Sequence, residues 1–173
     1  MKKITLMLLI VLGLCKVQAQ NGQNTSYDNN EVSLNLLYTA LGLPEVTYER
    51  IISDNGSIGL SAAISLNDEH IDINYISTAF YRFYFGKKRA AGFYLEGNVT
   101  VFEETVEKVW DLSYNHEDIN KVGYGMGVSV GAKFLNNHNW TGTIYGGLGG
   151  NFADYANAQS AYLRAGISIG KRF

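Results

Sequence analysis

The chain has 173 residues, 46% of them hydrophobic and only 17% charged, with nineteen glycines, twelve tyrosines, a single proline and a formal net charge of −2. It carries no concentrated basic charge of the kind that holds nucleic acid, and its lone cysteine excludes a disulfide framework. So much tyrosine and glycine, with so little charge, is unusual for a soluble domain and points to strands whose two faces meet different solvents.

Residues 1–19 read as a secretory signal peptide: Lys2 and Lys3, an apolar run from Ile4 to Leu14 broken only by Thr5, then Val17-Gln18-Ala19 as a small-residue cleavage site. The run of eleven residues is far shorter than a membrane-spanning helix, which needs about 20. Cys15 has two readings, lipid attachment or an inert residue that leaves with the leader, and the bulky Leu14 before it favours the second. Cleavage after Ala19 removes Lys2, Lys3 and Lys16, so that 11 basic residues face 16 acidic ones and the mature net charge is −5. Residues 20–30 are polar and aperiodic, a flexible lead-in, and 31–173 make one domain's worth of chain.

From Glu31 the hydrophobic period becomes two. Strand one, Glu31 to Ala40, sets Val32, Leu34, Leu36, Tyr38 and Ala40 on one face, and Leu41 to Pro44 turns the chain. Strand two places Val46, Tyr48, Arg50 and Ile52 on one face and Glu49 on the other. At Asp54-Asn55-Gly56, a three-residue loop with Gly56 left-handed pairs Ile52 with Ile58 and Glu49 with Ser61; it keeps one apolar face, which a two-residue Asn-Gly turn does not. Strand three is Ser57 to Leu66, followed by a polar loop from Asn67 to Asp72.

Strand four, Ile73 to Phe85, directs Tyr75, Ala79, Tyr81, Phe83 and Phe85 outward and Asn74, Thr78, Arg82 and Tyr84 inward. After the short basic turn Gly86 to Ala91, strand five shows Phe93, Leu95, Val99 and Val101 outward against Tyr94, Glu96, Asn98 and Thr100. Glu103 to Asn120 is the longest connection, acidic and aromatic, and its alternation continues through Trp110 and Tyr114, as in a hairpin running past the end of the sheet. Strand six alternates Val122, Tyr124, Met126, Val128, Val130, Ala132 and Phe134 with Gly123, Gly125, Gly127, Ser129, Gly131 and Lys133. Strand seven turns Ile144 and Leu148 outward and Thr141, Thr143, Tyr145 and Asn151 inward, and Phe152 to Gln159 is loop. Strand eight has Leu163, Ala165, Ile167, Ile169 and Phe173 on one face and Tyr162, Arg164, Ser168 and Arg172 on the other.

Alternation alone fits a soluble sandwich as well. The aromatics separate the two: Phe85, Phe93, Phe134, Trp140 and Phe173 fall beside the short turns, and Tyr38, Tyr75 and Tyr124 toward the opposite strand ends. Two aromatic girdles around an aliphatic band are what a bilayer interface selects. The second, fourth and sixth connections are tight, and three of the other four are longer, the short one being Leu41 to Pro44. The fold class expected is therefore all-β, an eight-stranded antiparallel transmembrane barrel in up-and-down order.

Asn35-Leu36-Leu37-Tyr38, Tyr48-Glu49-Arg50, Tyr81-Arg82-Phe83-Tyr84-Phe85-Gly86, the Ala19-Gln20 region and the terminal Phe173 resemble the small eight-stranded outer-membrane barrels, most of all outer-membrane barrel proteins of Bacteroidota. The resemblance covers the whole mature chain. It implies residence in the outer membrane among its lipids, and assembly by the barrel-insertion machinery, with Phe173 as the recognition signal. It implies no activity.

The inward charges Glu49, Arg82, Glu96, Lys133 and Arg164 must pair within a lumen just wide enough for side chains. Setting Phe85 opposite Phe93 places Arg82 across from Glu96. This reads as a salt-bridged plug, with a narrow ion or solute path as the alternative. His70, His116 and His138 lie in connections, and no strand carries a histidine to serve a nucleophilic serine, so no metal, cofactor or catalytic residue is expected, and a lipid-modifying enzyme stands only as a second alternative behind the channel. The alternating glycines of strand six read as space for Tyr94, Tyr145 and Tyr162 rather than as a phosphate loop. Residues 103–120 are the place to look for a surface protein or glycan partner, with Trp110 and Tyr114 as candidate anchors.

Overall fold

The computed structural model describes residues 28–66, 73–110, 115–152 and 161–173. The signal peptide, Cys15, most of the lead-in, His70, Tyr114 and the side chains of Trp110 and His116 lie outside the described residues. Eight strands, β1 (Asn30–Asn35), β2 (Glu45–Ile51), β3 (Gly56–Ile64), β4 (Ile73–Tyr84), β5 (Gly92–Trp110), β6 (Asn115–Leu135), β7 (Trp140–Asn151) and β8 (Ala161–Arg172), follow one another around a closed barrel. Every neighbouring pair is antiparallel, and β1 closes on β8 with Glu31 opposite Arg172 and Asn35 opposite Ser168.

Residue alternation explains the closure. On β4, Thr78, Phe80, Arg82 and Tyr84 are buried while Tyr81 and Phe83 are exposed, and β2 and β8 repeat the pattern. The polarity is inverted relative to a soluble protein: Leu60, Phe93, Val128, Phe134, Leu148 and Leu163 face outward, each at least 61% exposed, while Glu49, Glu96 and Lys133 are within 2% of full burial. β4 and β5 pair with Arg82 opposite Glu96 and continue to the Phe85 N–H on the Phe93 carbonyl at 2.8 Å.

Strand one departs from its expected course. It ends at Asn35, and Leu36–Ala40 form a short helix, α1. Asn35 caps it, its side-chain oxygen accepting from the Tyr38 N–H at 3.4 Å. At the far end Gly42, at φ +85°, lets its own N–H reach the Thr39 carbonyl and the Leu43 N–H reach that of Tyr38, the double closure that a left-handed glycine provides. Tyr38 therefore leaves the girdle; Tyr75 and Tyr124 remain on the strands. The barrel also begins earlier than expected, Asn30 belonging to β1 and exchanging backbone bonds with Phe173 at 2.9 and 2.7 Å.

The β2–β3 hairpin is shifted by two residues: Arg50 faces Ile58 and Thr47 faces Ser61. Gly56 is not left-handed. It opens β3, where a Cβ would meet Ser53 Oγ at 2.8 Å, and the loop before it is anchored by Asn55 Nδ2 on the Tyr84 carbonyl at 2.8 Å. A slip of two preserves which residues face inward, so the faces stand as expected although the partners do not. β5 and β6 stay paired out to Trp110 opposite Asn115, which puts His116 on a strand, contrary to expectation.

Candidate functional site in the barrel interior

The barrel interior has a floor, a charged middle and an apolar mouth. The floor is the turn between β4 and β5, which folds under the lumen and buries Ala90 and Ala91. Arg172 donates to the carbonyls of Arg89 at 3.0 Å and Ala90 at 2.9 Å, and the Ala90 N–H reaches the Asp54 carbonyl at 2.7 Å. Gly92, at φ +99°, and Gly86 sit so close that a side chain on either would strike the other's backbone neighbourhood.

Above the floor runs a chain of alternating charges. Arg172 meets Glu31 at 3.2 Å, Glu31 meets Lys133 at 2.9 Å, Lys133 meets Glu49 at 2.8 Å and Glu49 meets Arg82 at 2.6 Å. Arg82 continues to Glu96 at 2.8 Å, Glu96 to Arg164 at 3.1 Å and Arg164 to Glu45 at 3.2 Å. Four cations and four carboxylates thus alternate along the series of bonds, and the set is neutral. Polar groups take the remaining lone pairs: Ser57 and Tyr84 donate to Glu49 at 2.7 Å each, Asn98 to Glu96 at 3.2 Å, Asn35 to Glu45 at 2.8 Å and Thr141 to Glu31 at 3.0 Å. Rings flank the cations, with the Arg82 guanidinium 4.2 Å from the Phe80 centroid and that of Arg164 5.2 Å from Tyr145. Such complete pairing is what makes buried charge tolerable.

The five charges expected to pair in the lumen, Glu49, Arg82, Glu96, Lys133 and Arg164, all belong to this series, and Glu31, Glu45 and Arg172 complete it. Glu45 shares its face with Glu49 but follows Pro44 in an expected turn, Glu31 is the first residue past the lead-in, and Arg172, though on the inner face, stands one residue from the end.

The glycines do make room for rings, in a different distribution from that expected. Cβ atoms at Gly125 and Gly149 would come within 2.7 and 2.1 Å of Tyr162, and at Gly131 within 2.6 Å of Tyr94. The space for Tyr145 comes from Gly166 on β8 instead of from β6.

The mouth is a cavity of about 390 Å³ at the end opposite the short turns, lined mainly by apolar side chains including Leu43, Ile76 and Phe102, with Tyr38, Tyr162 and Arg164 at its base and side. Thr78 and Thr100 share a hydrogen bond at 3.0 Å in its wall. Among the described residues no three metal-ligating side chains converge. His138 sits in the β6–β7 turn, where its carbonyl accepts from Lys171. Lys171 faces outward with its ammonium 5.5 Å from the Trp140 ring, and Phe173 is partly exposed at the same end. β5 and β6 carry the two arms of the Glu103–Asn120 region, Glu103 to Trp110 and Asn115 to Asn120, out as paired backbone.

Neither a protein-family model nor a curated protein sequence matches the chain. Among solved structures, the chain is similar to the N-terminal β-barrel domain of OprF from Pseudomonas aeruginosa, over 84% of this chain and 98% of that one, at 13% identity and a TM-score of 0.45.

Proposed function

We propose that this chain is an outer-membrane β-barrel protein with a closed, side-chain-filled lumen, serving envelope structure or surface interaction through the connections opposite its short turns. The observation that carries the reading is the inverted polarity: large apolar side chains cover the outside of a closed barrel, while a neutral chain of ion pairs fills the inside. Only a hydrocarbon solvent makes that distribution favourable. Delivery by the 1–19 leader and recognition of Phe173 by the assembly machinery complete the proposal, as does an adhesive role for the β5–β6 hairpin. β5 and β6 run to 19 and 21 residues, whereas a spanning strand needs about 9–11. From Glu103 to Trp110 the hairpin extends roughly 23 Å along the strand, length enough to reach a partner beyond the lipid.

A polar, charged lumen also fits a narrow ion path, and planar-bilayer recording separates the two. The proposal expects no unitary conductance from the purified protein, because Arg82, Lys133 and Arg164 and their carboxylates occupy the lumen. Reproducible single-channel steps would replace the closed-lumen reading with the channel.

A further inference from the structure

The barrel wall is incomplete on one side of β8. β1 pairs only with its second half, from Ser168 to Arg172, because the chain leaves β1 at Asn35 to enter α1. The Asn35 carboxamide substitutes for the missing strand over the next residues, its oxygen accepting from the Ile167 N–H at 3.3 Å and its nitrogen donating to the Ala165 carbonyl at 3.5 Å. Tyr38 lies against the Ala165 backbone. The next residue to aim its backbone groups that way is Leu163, and among the described residues no strand stands opposite it there.

The cavity at the mouth adjoins this gap. Tyr162 and Arg164 line it with inward side chains, and Leu163 between them lines it too, although it points outward and is 71% exposed. Tyr38, Leu41 and Leu43 line the same space from the α1 side, so the cavity lies directly against the gap, with the unpaired edge of β8 on one side and the α1 segment on the other. Leu41 borders it from the α1 side and is exposed, and Leu163 pairs with the exposed Leu148 in the apolar belt. The one lining arginine is committed to Glu45 and Glu96, so an apolar occupant suits the space better than an ionic one.

We propose that the gap between β8 and α1 is a lateral portal through which the acyl chain of a membrane amphiphile enters the barrel mouth. The volume lies within the range of small-molecule sites, about 300–1,000 Å³. The proposal rests on the membrane reading of the barrel.

The test is photolabelling in liposomes, with two separate probes: a palmitate analogue carrying a mid-chain diazirine, and a phosphatidylcholine carrying the same acyl group. Peptide mapping then locates the adducts. Adducts on Phe102, Ile76 or Tyr162 are expected beside those on Val128 and Leu148 of the outer belt, and the probe that gives them identifies the source of the chain. Ile76→Trp, which fills the cavity, loses the interior adducts and keeps the outer ones; Leu163→Lys, which changes only the outer face of the portal, does the same. Adducts confined to outward residues with both probes overturn the portal while leaving the membrane reading intact. A chain that is not labelled at all because it does not insert overturns the membrane reading and the portal with it.

Discussion

Glu49 is the residue on which most of the lumen depends. Its two oxygens take Arg82, Lys133, Ser57 and Tyr84, all at 2.6–2.8 Å. Glu49→Gln leaves Arg82 sharing Glu96 with Arg164, and Lys133 sharing Glu31 with Arg172, so a loss of about 3–5 kcal/mol is expected. Arg172→Gln, at the end of the chain, leaves Glu31 still paired with Lys133 and should cost clearly less; urea unfolding from lipid vesicles compares the two, and equal losses would show that the charges do not act as a connected series. Replacing Arg82 and Glu96 together by apolar residues should cost less than the sum of the single changes, since neither charge is then left alone; additive losses would show that the pair does not interact. Gly149 tests packing in the same assay: Gly149→Val presses a branched side chain into the Tyr162 ring, and overpacking of this kind costs about 1–3 kcal/mol. An unchanged midpoint would mean the ring moves aside freely. The inward set is legible from parity along each strand, which is how Glu49, Arg82, Glu96, Lys133 and Arg164 are found. The alternation signal runs out at strand ends, where Glu31 and Glu45, although on the inward parity, border polar or proline-containing segments that give no period to count.

At the scale of elements, α1 is the part that alternation conceals. Leu36-Leu37-Tyr38-Thr39-Ala40 is too short for period two and period 3.6 to be told apart, and Leu and Ala favour a helix. Its end marks, Asn35 as cap and Gly42 at the close, can also be read as an ordinary strand residue and a turn breaker. Asn35 has a second task at the β8 edge, so Asn35→Ala should cost more than the roughly 1 kcal/mol of a lost cap and should speed amide exchange at Ile167. Exchange at Ile167 equal to that of the unmodified protein would show that the carboxamide does not close the wall. The register between β4 and β5 follows from matching Phe85 with Phe93, but the hairpin between β2 and β3 slips by two, because faces constrain parity and not the turn. The β5–β6 hairpin makes the surface-interaction proposal testable. Joining Glu104 to Asp118 by deleting Thr105–Glu117 leaves the Glu104–Lys121 pair closed by three residues, a length common in hairpins. The deletion should spare membrane insertion and remove adhesion or partner capture; capture at the original level would place the interaction elsewhere.

At the scale of the whole molecule, the barrel is a polar column inside an apolar sleeve, sealed below by the β4–β5 turn. Phe85, Phe93, Phe134 and Trp140 ring its short-turn end, all exposed, as an interfacial girdle requires. This inversion is readable from sequence because every strand repeats it, whereas the mouth cavity and the gap beside β8 depend on where β1 stops, which no periodicity encodes. On the proposed function, lipid is the solvent for which this chain is folded. The direct measurement is to refold the mature protein side by side in plain buffer and in lipid vesicles, following circular dichroism and the mobility of unheated and heated samples on a denaturing gel. The expected result is a β-type spectrum and a heat-dependent mobility shift in vesicles only, with aggregation in buffer. A monodisperse, folded protein in plain buffer would contradict it.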